Sequence, residues 1–171
     1  MKRKLPALSI KKKLVSVMIV ASLPFTFNLT ASATAYVQSW DLVDSGKHLD
    51  YDGNSMYMSY VTKGASIWNG YKSGIIRPDS ASVIEDVFVS DVNVVNGNTG
   101  VTYSSGYIEL NYYNLQNCTA NQITNTATHE LGHALGLDHS TSSDIMGPSQ
   151  TSLITLSRND KDSYDAAYLY Y

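Results

Sequence analysis

The sequence predicts an α+β fold in a single domain, and three observations carry that prediction. Short stretches of alternating or β-branched residues fall between residues 47 and 112, separated by turn residues such as Pro78-Asp79-Ser80 and Asn96-Gly97. Two later stretches open with helix-start chemistry, Thr119 with Gln122 and Ser157 with Asp160, each pair three residues apart. No repeat, linker or low-complexity segment divides residues 36 to 171, a length sufficient for one compact domain with its own core.

Taken in order, Lys47 to Tyr51 reads as a first strand. Asn54 to Gly70 reads as a helix, with Met56, Tyr60, Ile67, Trp68 and Tyr71 as its apolar stripe. Strands come next near Gly74–Arg77, Asp86–Asn93, Val101–Ser104 and Tyr107–Tyr112. The helix opened by Thr119 offers Ile123, Ala127, Leu131, Ala134 and Leu135 to the core, and the one opened by Ser157 runs through Tyr164 and Leu169.

The N-terminus reads as a secretory signal. Lys2, Arg3, Lys4, Lys11, Lys12 and Lys13 precede an apolar run from Leu14 to Leu23, and Ala31-Ser32-Ala33-Thr34-Ala35 offers small-residue cleavage sites. The run is about half the length that a membrane span needs, which speaks against a retained anchor. Cleavage after Ala33 or Ala35 fits, with Ala35 preferred, so residues 1–35 are a signal peptide and 36–171 the mature domain. Removing 1–35 leaves six basic against fifteen acidic residues, a net charge of −9. Such a charge argues against nucleic acid or an anionic membrane as partner. Cys118 is the only cysteine, so no intramolecular disulfide forms. In a secreted chain this fits a Gram-positive bacterium.

The chemistry concentrates in His129-Glu130-Leu131-Gly132-His133-Ala134-Leu135-Gly136-Leu137-Asp138-His139, which uses three of the four histidines. Residues four apart share a helix face, so His129 and His133 can point at one ion. Gly136 suits the left-handed conformation that ends a helix and lets the chain double back, bringing His139 in as a third imidazole. Three nitrogens leave a tetrahedral zinc one open position for water, the arrangement of a catalytic site. Glu130, beside the first ligand, can take that water's proton. A short polar loop, Ser143-Asp144-Ile145-Met146-Gly147-Pro148, comes after the third histidine.

This HExxHxxGxxH run with its methionine turn resembles the metzincin clan of zinc endopeptidases, and Ser140 after the third histidine resembles its matrixin family. The resemblance covers roughly residues 129 to 148. It implies one catalytic zinc on His129, His133 and His139, Glu130 as general base, Met146 as an apolar floor under the metal, and Pro148 in the wall of a specificity pocket. It also implies a twisted mixed sheet and a monomeric, secreted, extracellular protease acting on proteins or peptides. Matrixins often carry tyrosines where Gly147 and Gln150 stand here, so side-chain preference departs from the family pattern. With only His48 to spare, a second, structural zinc is not expected.

Three further expectations concern the surroundings. The strand near Tyr107 to Asn111 is the expected edge for an extended substrate. Asp86, Asp91, Asn93, Asn96 and Asn98 offer oxygen ligands for calcium, although their spacing is not that of a calcium loop and the same residues make turns. His48 reads as a solvent-facing strand histidine and Cys118 as a buried or idle thiol. The competing function classes are a secreted binding protein that holds zinc without catalysis and another metzincin subfamily. A non-ligating Glu130 speaks against the first, Ser140 against the second.

Overall fold

The structure, a computed structural model, describes residues 34–80 and 84–171. The signal-peptide reading concerns residues 1–35, of which 1–33 lie outside the described residues. The elements are β1 (Leu49–Gly53), α1 (Met58–Asn69), β2 (Ile76–Pro78), β3 (Val87–Val92), β4 (Gly100–Tyr103), β5 (Tyr107–Asn111), α2 (Tyr112–Leu115), α3 (Ala120–Ala134) and α4 (Arg158–Ala167). The five strands form one mixed sheet in the order β2-β1-β3-β5-β4, parallel except for the antiparallel pair β4 and β5. No helix among the described residues is long and apolar enough to cross a membrane.

The core lies between the sheet and the helices. Leu49, Val87, Val89, Ile108 and Leu110 come from the strands, Val61, Ala65 and Trp68 from α1, and Ile123, Ala127, Leu131 and Ala134 from α3. Trp68 ties the two long helices together by donating from Nε1 to the Thr128 carbonyl at 2.8 Å. Its ring meets Tyr164 of α4 edge-on, with centroids 5.4 Å apart, a favoured arrangement for two aromatic quadrupoles.

Both expected helix starts form complete capping boxes, Thr119 with Gln122 on α3 and Ser157 with Asp160 on α4. All five residues assigned to the core from the α3 segment are buried. Helix α1 is corrected in two respects. It begins at Met58 rather than Asn54, because the chain before it is tied to β3: Asn54 N donates to the Val89 carbonyl at 3.0 Å, and Ser55 Oγ and Met56 N donate to Asp91 at 2.5 and 2.8 Å. Its buried face is Val61, Gly64, Ala65 and Trp68. Met56 and Tyr71 of the expected stripe are exposed, and Tyr60 and Ile67 are half-buried. Small residues win that face because α1 lies close on α3; a Cβ on Gly64 would come within 3.0 Å of Thr128 N.

The edge strand is also corrected. β5 pairs with β3 on one side, Phe88 to Val92 against Tyr107 to Asn111, and with β4 on the other. Its backbone is therefore used on both sides. The free edge next to α3 belongs to β4, which the hairpin turn at Gly106 folds back outside β5. Smaller shifts occur at β1, which starts two residues late after Lys47 in a left-handed conformation (φ 64°), and at α4, which ends before the exposed Leu169.

Asp160 reaches beyond its own helix. Its carboxylate accepts from the half-buried Ser157 N at 2.8 Å and from the buried Ile145 N and Met146 N at 3.1 Å each. Replacing it strands two buried donors and opens the helix cap at once. Asp160→Ala is expected to lower stability by about 3 kcal/mol and the melting temperature by about 10 °C. A calorimetric melt unchanged within error would show that the turn holds its shape without this carboxylate.

Candidate metal centre

Helix α3 places His129 and His133 one turn apart on the same face. Each ring is aimed from behind. His129 Nδ1 lies 2.8 Å from the Ile145 carbonyl and His133 Nδ1 lies 2.8 Å from the Leu137 carbonyl. A carbonyl oxygen can only accept, so Nδ1 carries the proton in both rings and each Nε2 presents a lone pair.

His139 arrives by a turn at Gly136, whose φ is 85°. Gly136 N donates to the His133 carbonyl at 2.9 Å and Leu137 N to the Gly132 carbonyl at 3.0 Å, which closes the helix and reverses the chain. The Nε2 atom of His139 then lies 3.2 Å from that of His129 and 3.3 Å from that of His133. A tetrahedral ion with zinc–nitrogen bonds of about 2.0–2.1 Å sets its ligand nitrogens roughly 3.3 Å apart. The donor set fits zinc, and among the described residues it is the one cluster of three histidines.

Electrostatics keep His129 and His133 neutral. Burial and the neighbouring His133 hold His129 down at about 4, and burial also lowers His133. Unprotonated nitrogens are what a cation requires. Glu130, 5 % exposed, is pushed up to about 7 by burial, against the opposing hydrogen bond from Thr102. Thr102 Oγ1 on β4 lies 2.7 Å from Glu130 Oε2 and 2.9 Å from the Glu130 carbonyl. Thr102 escaped the sequence reading because only the sheet order brings β4 beside α3.

The turn after His139 is held separately. Burial would raise the Asp144 carboxyl, but hydrogen bonds from Thr141, Asn159 and Ser157 hold it down at about 2. Thr141 N and Oγ1 donate to its Oδ2 at 3.0 and 2.6 Å, and Ser140 N donates to the Met146 carbonyl at 2.8 Å. Met146 is 1 % exposed and presses against α3 at Gly132, where an added Cβ would come within 2.3 Å of its Sδ. That glycine is required by close approach.

The site opens into a cleft of about 440 Å³. Its floor is α3, one wall is β4 with the preceding Gly97–Thr99, and Gly147, Pro148, Ser149 and Gln150 line it opposite. Gln38 and Trp40 from the N-terminal segment also line the cleft, which no local pattern announced. That segment runs along the ligand turn: Gln38 N donates to the Gly136 carbonyl, Asp138 N to the Tyr36 carbonyl, and Gln38 Nε2 to the His133 carbonyl at 2.6 Å.

The remaining expected site residues stay apart. His48 lies 3.7 Å from Asp44, outside the histidine cluster. Three of the five oxygen donors considered for calcium accept hydrogen bonds within the chain: Asp86 from Asp50 N, Asp91 from Ser55 and Met56, and Asn96 from Asn98 N and Asn111 Nδ2. Asp44, Asp50 and Asp86 do converge, but Arg77 occupies Asp50 through two bonds of 2.7 and 2.6 Å. Cys118 is half-buried, with Sγ 3.3 Å from the Asn114 carbonyl.

The family model described as Matrixin matches residues 109–170, a span that holds the end of β5, α2, α3, all three histidines of the cluster, the methionine turn and α4. No curated protein sequence matches the chain. Among solved structures, myroilysin superposes with a TM-score of 0.57 at 14 % identity, covering 79 % of this chain and 98 % of its own. High choriolytic enzyme 1, a hatching enzyme zinc-protease from the medaka fish Oryzias latipes, gives a TM-score of 0.48 at 14 % identity over 81 % of this chain and 96 % of its own. Over residues 109–170, which include the histidine segment, the chain is thus similar to the matrixin family, and it shares its fold with myroilysin.

Proposed function

We propose that this chain is a secreted endopeptidase in which His129, His133 and His139 hold one zinc ion and Glu130 is the general base. Residues 1–35 direct export and are removed, leaving 36–171 as a monomeric catalytic domain. The observation that carries the reading is the approach of His139 Nε2 to the proton-free Nε2 atoms of His129 and His133, at 3.2 and 3.3 Å, beside the buried Glu130. That spacing matches the ligand separation of a tetrahedral zinc ion.

When bound, zinc supplies Lewis acidity to water and to the scissile carbonyl. The chain's own residues do the rest. Thr102 holds Glu130 Oε2, which leaves Oε1 directed at the cleft to take a proton from the attacking water and return it to the leaving amine. Burial raises the basicity of that carboxylate toward neutrality, where a proton carrier works best. The unpaired side of β4 offers backbone groups to an extended peptide, which gives binding without sequence demand. Met146 forms the apolar floor that keeps α3 and the turn in contact, and Pro148 walls the cleft.

Two outcomes are expected. At equal zinc content, wild type should cleave reduced casein and Glu130→Ala should do so about 10²–10⁴-fold more slowly, with a zinc chelator abolishing the wild-type activity. Casein left whole by a wild-type sample that binds one zinc would turn the reading to a binding module. The second concerns the metal-free protein. A carboxyl raised from 4.5 to about 7 favours the fold below pH 4.5, and that contribution is lost as pH rises to 7, about 3 kcal/mol in all. His129 runs the other way, its contribution present above pH 6.5 and lost as pH falls toward 4. In urea titrations of metal-free protein, Glu130→Gln should therefore stabilise more at pH 8 than at pH 5. An equal effect at both values would mean that Glu130 is not charged against its burial.

A further inference from the structure

The two ends of the cleft differ in chemistry. Helix α3 runs along its floor from Asn125 and Thr126 to His133, a distance of about 10 Å along the axis. At the Thr126 end the lining is polar and bonded to itself: Gln150 Nε2 donates to Thr126 Oγ1 at 2.8 Å, Thr126 Oγ1 to Thr99 Oγ1 at 3.3 Å, and Asn125 bonds the Leu153 carbonyl and Thr151 N. At the His133 end stands Trp40, the one indole or phenyl ring in the lining.

Trp40 has no structural employment that would explain it. It is half-buried, it belongs neither to the hydrophobic core nor to the residues packed on that core, and among the described residues its ring makes no hydrogen bond. The segment that carries it is held by other groups, through Gln38 N to the Gly136 carbonyl, Gln38 Nε2 to the His133 carbonyl, and Leu42 N to the Ala134 carbonyl at 2.9 Å. On its other side lies a second cavity of about 320 Å³, which Trp40 also lines. Trp40 lines both spaces, on a segment whose backbone is bonded to the end of α3 and the turn after it.

We propose that Trp40 is a specificity-determining residue that seats a large apolar or aromatic side chain of the substrate on the His139 side of the cut bond. An indole has only two side-chain torsions to order, so in a cleft it offers a large apolar surface at little entropic cost. An apolar side chain entering the opposite end would meet amide and hydroxyl groups instead. This rests on the peptidase reading for the identity of the ligand, an extended peptide.

The test uses two blocked alanine hexapeptides, one carrying a single phenylalanine and the other a serine at the same place, titrated into zinc-loaded Glu130→Ala. The chain has two tryptophans, and Trp68 is fully buried, so a change in emission reports on Trp40. The phenylalanine peptide should shift that emission to the blue and bind about tenfold more tightly by calorimetry. Adding Trp40→Ala should reduce the preference to less than about twofold, and Trp40→Phe should restore most of it. The same preference in Trp40→Ala, or binding without a change in emission, would overturn the assignment. Casein digestion by wild type and Trp40→Ala is read in parallel, with loss of an apolar preference at one fixed position and a rise in KM at unchanged kcat expected. Casein left whole by wild type would sink the peptidase reading alone, because the peptide titration decides Trp40 without turnover.

Discussion

The imidazoles of His129 and His133, each brought within about 3.3 Å of His139, set the demand that the surrounding fold has to meet. The arrangement is costly to assemble, since burial strips His129 and His133 of water while their Nε2 lone pairs turn toward one point. It therefore has to be imposed, and the packing around it does so. Two backbone carbonyls, Ile145 and Leu137, fix the proton on Nδ1 of His129 and His133. Both carbonyls belong to the segment after α3: Leu137, in the turn that brings in His139, orients His133, and Ile145, in the methionine turn, orients His129.

That dependence explains where the buried polar groups lie. Asp160 sits at the start of α4 yet accepts from Ile145 N and Met146 N. One carboxylate thus satisfies the helix's own start and the peptide units on which His129 leans. Met146 fills the space against Gly132, and Trp68 closes the same region from α1 through its bond to the Thr128 carbonyl. Motion at the methionine turn would be felt at the imidazoles through contacts already at van der Waals limits.

The cleft is assembled from parts far apart in the chain. β4 supplies Thr102 to Glu130 and an unpaired backbone edge, the loop at 147–150 supplies the opposite wall, and residues 38–40 close one end. A polar end, a charged centre and an aromatic end succeed one another along α3. Recognition in such a cleft divides between backbone pairing, indifferent to sequence, and side-chain contacts at the two ends.

Local chemistry was enough to make the histidine cluster, both helix starts, and the order of strands and helices legible in the sequence. Each depends on residues close in the chain: histidines at i and i+4, a glycine at the helix end, cap pairs three apart. The buried face of α1 was misjudged, because large apolar residues were preferred over Gly64 and Ala65, and close helix packing rewards the small ones. The substrate edge was likewise placed on β5, because alternation along a strand says nothing about which neighbours will pair with it. Sheet order, the reach of Thr102 to Glu130, the second duty of Asp160 and the presence of Trp40 in the cleft were decided only in the tertiary structure. Each joins groups 14 to about 100 residues apart, where no local propensity acts and only the shape of the packed core selects the partner.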